Sequence, residues 1–244
     1  MKLILTFLLS SLLLSVSTGK DKKILFLGNS YTAQSAKFIK EIFNREGGSY
    51  ELQFGTPGGK DLNFHLTNPT SQKALKSARW DFVVIQDQSQ KPGLGGQYTQ
   101  GFHTAAKGLC EAIRKQGAQP CFFMTWGRRD GDKRNTQVYP DFSTMHGKIS
   151  GAYEKAGREN DSLVAPVGHA FSIIHSQDKA LFKKLYKKDG SHPSSQGGYL
   201  AACVLWATVS GKDPVSIRWN GFLHSTQAKV LREAAAQAVL KNKG

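Results

Sequence analysis

The feature that most constrains this chain is an alternation of short apolar runs with longer stretches of helical character. KILFLGN (23–29), residues 50–54, DFVVIQ (81–86), CFFMTW (121–126) and SLVAPVG (162–168) each read as a strand. Helices are predicted over 33–46, around 70–79, and over 99–116, 142–157, 194–209 and 225–241, with one or two more in 170–187. Gly47-Gly48 and Gly117 stop two of them. Strands that alternate with helices form βαβ units, and these build a parallel sheet covered on both faces. The expected fold is therefore α/β: one three-layer α/β/α domain, flavodoxin-like, with a parallel sheet of about five strands.

That domain is expected to span 20–244. Before it, Met1-Lys2 leads into the uncharged run LILTFLLSSLLLSV, then small residues, then Lys20-Asp21-Lys22-Lys23. A basic start, a greasy middle and a small-residue junction make the pattern of a signal peptide, assigned to 1–19. The run is shorter than the ~18–20 residues a membrane-spanning helix wants, so a lasting anchor is not expected. The expected destination is secreted or periplasmic.

Lys and Arg number 33 against 18 Asp and Glu, a formal net charge of +15. The densest basic groups are Arg128, Arg129, Lys133, Arg134 and Lys183, Lys184, Lys187, Lys188. Charge alone would admit nucleic acid. For an exported protein, acidic polysaccharide or an anionic surface is the better match, and no specific nucleic-acid partner is expected. Cys110, Cys121 and Cys203 lie in apolar or small-residue surroundings and read as buried thiols. One disulfide is compatible with the count and none is required. The cysteine spacings resemble no metal site. His65, His103, His146, His169, His175 and His224 share no ligand spacing, so no metal is expected.

Polar motifs follow the strands, where parallel α/β sheets place their sites. Ser30 ends LFLGNS, at a strand-to-helix junction. Such a junction exposes the side chain and turns helix N-terminal N–H groups towards a developing oxyanion. Alone, Ser30 would equally suit a helix N-cap. The segment DGSHPSSQGG changes the balance. It sets Asp189 three residues before His192, a spacing that lets a tight turn join carboxylate to imidazole and leave the other ring nitrogen for a serine proton. Asp87 also lies near a strand end, with no role assigned by the sequence.

With GNS near one end and DxxHP near the other, the chain resembles the SGNH (GDSL-like) hydrolase superfamily. The resemblance spans nearly the whole mature chain. It implies Ser30 as nucleophile, His192 as base and Asp189 as its acid partner, with no metal or organic cofactor. It also implies an oxyanion hole. The Ser30 N–H is one donor, and a glycine after the second strand is another: Gly58 and Gly59 both fit, and Gly59 is preferred. The family's GxND block is replaced by IQDQSQ, similar to the QGES-type block of carbohydrate-acetylesterase branches. Gln86 or Gln88 is then expected to supply the amide usually given by Asn. Trp126, Arg128 and Arg129 are candidates for a platform that binds sugar or an anionic group, with core packing and solvated charge as the competing reading.

These readings converge on a secreted serine esterase that removes O-acetyl groups from a carbohydrate through an acyl-enzyme. The alternatives are a lipase or lysophospholipase, for which no apolar lid is visible, and a non-catalytic glycan- or surface-binding protein that keeps the fold.

Overall fold

The computed structural model describes residues 22–241. The leader assigned to 1–19 lies outside them. Five strands, β1 (Lys22–Leu27), β2 (Tyr50–Gly55), β3 (Phe82–Ile85), β4 (Gln119–Phe123) and β5 (Leu163–Ala165), form one sheet. All pairings are parallel, in the order β2-β1-β3-β4-β5. This is the flavodoxin-like order, whose topological switch point lies between β1 and β3.

Period-two alternation splits each strand between two cores. Ile24, Phe26, Val84, Cys121 and Phe123 face one core; Leu25, Leu27, Val83, Ile85 and Phe122 face the other. The first is closed by α1 (Ser30–Arg45), α6 (Val167–Gln177), α7 (Lys179–Lys184), α8 (Ser195–Ser210) and α9 (Ser225–Lys241). The second is closed by α2 (Leu62–Thr67), α3 (Pro69–Lys76), α4 (Gly96–Lys115) and α5 (Phe142–Glu159). The three-layer expectation and the strand count hold.

Helix α8 is apolar on every side, as a helix enclosed by others must be. It packs between α1 and α9, and Tyr199, Leu200, Val204, Leu205 and Trp206 are all buried. Each side chain of that size stabilises the fold by roughly 1.5–3 kcal/mol on burial. Ser194 caps its start, accepting from the Gln196 and Gly197 N–H groups. A rigid α8 with a capped start gives the segment just before it, which holds His192, a fixed base.

Several boundaries differ from the sequence reading. Met124, Thr125 and Trp126 are buried yet lie beyond β4, and Val167-Gly168 belong to α6 rather than β5. Apolar runs report burial, and burial outlasts the strand. The six-residue α2 lies outside the helices read from the sequence. All three cysteines are free and buried.

Candidate active site

Ser30 is the first residue of α1, immediately beyond β1, and is half-buried. The N-cap is Asn29, not Ser30: its side chain accepts from the Tyr31 N–H at 3.1 Å. That leaves the Ser30 hydroxyl free for His192, and Ser30 Oγ lies 2.9 Å from His192 Nε2. His192 Nδ1 lies 2.6 Å from Asp189 Oδ2. With the carboxylate ionised, Nδ1 carries the ring proton and Nε2 is the acceptor facing the serine.

The acid is held by its own turn. The N–H groups of Ser191 and His192 donate to Asp189 Oδ1 at 2.9 and 3.0 Å. Partial burial raises the Asp189 pKa, but these bonds and the His192 ring outweigh it and hold the carboxyl below its usual range. The turn is closed by Lys187 N–H donating to His192 O at 2.9 Å and by a bridge between Tyr186 and Pro193.

An aromatic stack backs the imidazole. Tyr31 meets the His192 ring edge-on at 5.3 Å and stacks on Trp126 at 4.8 Å, which stacks on Phe171 at 4.2 Å. Tyr31 Oη lies 2.6 Å from Ser191 Oγ, and Trp126 Nε1 donates to Ser191 O at 3.1 Å. Trp126 is fully buried, so the sequence-based platform role does not fit it. It props the acid–base turn from behind. Arg128 is half-buried and paired with the buried Asp132 at 2.7 Å. Arg129 pairs with Asp130, and its backbone N–H donates to Gly190 O at 2.8 Å.

The middle blocks form a latch under the serine. The Asn29 amide donates to Lys60 O at 2.8 Å and to Asp87 O at 3.2 Å, joining the loops after β2 and β3 to the residue beside Ser30. Gln86 is buried, and its Oε1 accepts from Asn29 N–H at 3.0 Å and from the Thr32 hydroxyl at 2.8 Å. Its amide nitrogen turns to Asp87 O. Gln88 folds on its own segment, accepting from Gln90 N–H at 2.7 Å and donating to Gln90 Oε1 at 2.8 Å. Both glutamine side chains are bonded within the protein rather than standing free as the amide donors the sequence reading expected. Their amides organise the latch and the loop. The expected hole is left with backbone donors: among the described residues, the N–H groups of Ser30 and Gly59 have no hydrogen-bond acceptor. Gly59 has φ +70°, a conformation natural to glycine.

Gly28 makes the latch compact. A Cβ there would lie 2.4 Å from Thr32 Oγ1 and 2.8 Å from Gln86 Oε1. Its carbonyl accepts from His65 Nε2 at 2.9 Å, and burial lowers the His65 pKa, so that ring is a neutral strut. Asp87 is buried with one oxygen bonded to Leu62 N–H at 3.0 Å and the other unpartnered. Burial raises its pKa to about 7. Sequence reasoning missed Asn29, Tyr31 and Gln90. Asn is as good an N-cap as Ser, so the signal for Asn29 stands in the sequence one residue before Ser30.

The site is open: the side chains of His192 and Asp189 are 29% and 48% exposed. A cavity of about 810 Å³ lies elsewhere, beside β5, lined by Glu154, Arg158, His169 and Ile173. Among the described residues no group of three or more His, Cys, Asp or Glu could hold a metal ion, and no helix is long and apolar enough to cross a membrane.

No family model matches the chain, and no curated protein does. Solved structures do. A candidate SGNH hydrolase from Slackia heliotrinireducens is 29% identical, with a TM-score of 0.65 over 78% of this chain and 100% of that one. A DUF4886 family protein from Bacteroides uniformis is 19% identical, with a TM-score of 0.75 over 92% and 97%. The acetyl xylan esterase AlAXEase is 16% identical, with a TM-score of 0.62 over 77% and 99%. With this fold, and with its GNS and DxxHP blocks meeting beyond the strand ends, the chain is similar to the SGNH (GDSL-like) hydrolases.

Proposed function

We propose that the protein is a serine esterase that cleaves O-acetyl esters on a carbohydrate. The observation that carries this reading is the continuous hydrogen-bond array from Ser30 Oγ through His192 to Asp189. His192 Nε2 takes the serine proton as Oγ attacks the acyl carbon, and the carbonyl electrons move onto oxygen. The Ser30 and Gly59 N–H groups hold that oxyanion. Asp189 stabilises the imidazolium and fixes its tautomer. The C–O bond to the alcohol then breaks, and the alcohol leaves with the proton from His192. Water repeats the sequence on the acyl-enzyme, giving the acid and restoring the serine.

Two observations support a small acyl group on a polar alcohol. The acid–base pair beside the half-buried nucleophile is open to solvent, and an acetyl group needs no deep acyl channel. The exposed large apolar residues Tyr98, Val215, Phe222, Val230 and Leu240 belong to none of the segments that carry the triad. The acetyl xylan esterase among the structural neighbours fits the same reading. Export is part of the proposal and rests on the leader pattern in 1–19.

The test is acetate release from acetylated oligosaccharides and from short and long acyl 4-nitrophenyl esters, by wild type, Ser30→Ala and His192→Ala. Both variants should lose activity by a factor of at least ~10³ while unfolding at the same denaturant concentration. Full activity in Ser30→Ala would remove the mechanism. Preference for long acyl chains would remove the acetyl assignment. A wild type that binds glycan but turns over no ester would leave a binding protein on a hydrolase fold.

A further inference from the structure

The two densest basic segments of the sequence, 128–134 and 183–188, are separated by about fifty residues. The fold brings them together at the acid–base turn. Arg129 N–H donates to Gly190 O, Trp126 Nε1 to Ser191 O, and Tyr186 Oη to Gly127 O at 2.7 Å, so the loop after β4 is stitched to the turn on both flanks. Lys187 is bonded through its backbone to His192 itself. Asp130 is held below the ordinary carboxylate range first by its bond to Arg129, with Lys133 and Lys183 contributing from either segment.

The acids of this neighbourhood are already engaged. Asp130 pairs with Arg129, Asp132 is buried against Arg128, and Asp189 holds His192. Lys133, Lys183, Lys187 and Lys188 are exposed, and none of them forms an ion pair among the described residues. Lys107, Lys155 and Lys229 elsewhere on the surface each pair with a glutamate one helical turn on. Lys133, Lys183, Lys187 and Lys188 thus lie on the segments stitched to the turn that holds His192, with no acid among the described residues paired to any of them.

Resting on the esterase reading above, we propose that Lys133, Lys183, Lys187 and Lys188 form a cationic rim that binds the carboxylate or sulfate groups of an acidic, O-acetylated glycan. Three classes of polyanion could meet such a rim. A lipid surface needs an apolar seat for acyl chains, and none of the exposed large apolar residues lies in the rim segments. Single-stranded nucleic acid wants exposed aromatic rings for stacking, whereas Trp126 and Tyr186 are buried. An acidic glycan needs only charge beside a solvent-open acid–base pair.

The test compares acetate release from acetylated polygalacturonate and from neutral acetylated glucomannan. The proteins are wild type, a Lys183→Gln/Lys187→Gln/Lys188→Gln variant, and a control with Lys107, Lys155 and Lys229 changed to Gln. At low salt, wild type should favour the acidic polymer on the order of tenfold, through KM. The preference should fade as salt rises and vanish in the rim variant but not in the control. No preference in wild type, or equal loss in the control, overturns the rim. So does tighter binding of wild type to anionic phospholipid vesicles or single-stranded DNA than to polygalacturonate. Wild-type turnover of 4-nitrophenyl acetate reads the triad separately: turnover without acidic preference sinks the rim alone, and no turnover of any ester sinks the esterase reading.

Discussion

Replacing Asp87 by Asn should make the protein more stable at alkaline pH and leave it nearly unchanged near pH 4. The carboxyl is 1% exposed, with one oxygen bonded to Leu62 N–H and the other without a partner. Burial raises its pKa from 3.8 to about 7, outweighing the bond from Leu62. Between those two values the unfolded chain gives up a proton that the folded chain keeps. Stability contributed by this group therefore falls as pH rises through that window. The full difference corresponds to ~4 kcal/mol. Asn mimics the neutral acid, keeps an acceptor for Leu62 N–H and does not titrate. In urea unfolding at steps from about pH 4 to pH 8, the stability of Asp87→Asn relative to wild type should rise by several kcal/mol, most steeply between pH 4 and 7. A difference that stays constant with pH would refute the reasoning. It would mean that water or rearrangement lets Asp87 ionise freely beneath the Asn29 latch.

Three further outcomes are expected. Gly28→Ala should destabilise the protein by about 1–3 kcal/mol, because its Cβ would press on Thr32 and Gln86, and should lower kcat at least tenfold by shifting Ser30; a variant with wild-type kcat and stability would show that the strand end yields freely. Trp126→Phe should cost about 1–3 kcal/mol, from the bond to Ser191 O and the stack between Tyr31 and Phe171, and should lower kcat rather than raise KM; a raised KM with unchanged stability would mean that the ring touches substrate. The three thiols should be silent to a thiol reagent in the folded protein and all react after denaturation, since each is buried and burial pushes Cys121 up to about 12; a fast-reacting native thiol would contradict their placement.

The architecture was legible because period-two and helical patterns were clear and the turn glycines stood where elements end. Ser30, Asp189 and His192 were legible for a local reason: a strand-to-helix junction and an i, i+3 turn fix their own geometry within a few residues. What joins them was not. The positions of Gln86 and Gln88 suggested amide donors for substrate, yet their bonds go to Asn29, Thr32, Asp87 and Gln90, partners set by strand order and loop packing. Trp126 follows a strand on the site side, and only the stack of Tyr31 and Phe171 around it shows that it faces inward. The basic groups at 128–134 and 183–188 were visible one by one, but their convergence depends on Gly190, Ser191 and Gly127 carbonyls that no sequence pattern marks.

The central claim is that Ser30 is a nucleophile activated by His192. A phosphonate ester that reacts only with activated serines tests it without any assumption about the natural substrate. Intact mass should show one covalent adduct on wild type, mapped to Ser30 by peptide sequencing, none on Ser30→Ala, and labelling slowed by a factor of at least ~10² on His192→Ala. An adduct on another serine, or no adduct on folded wild type, would contradict it.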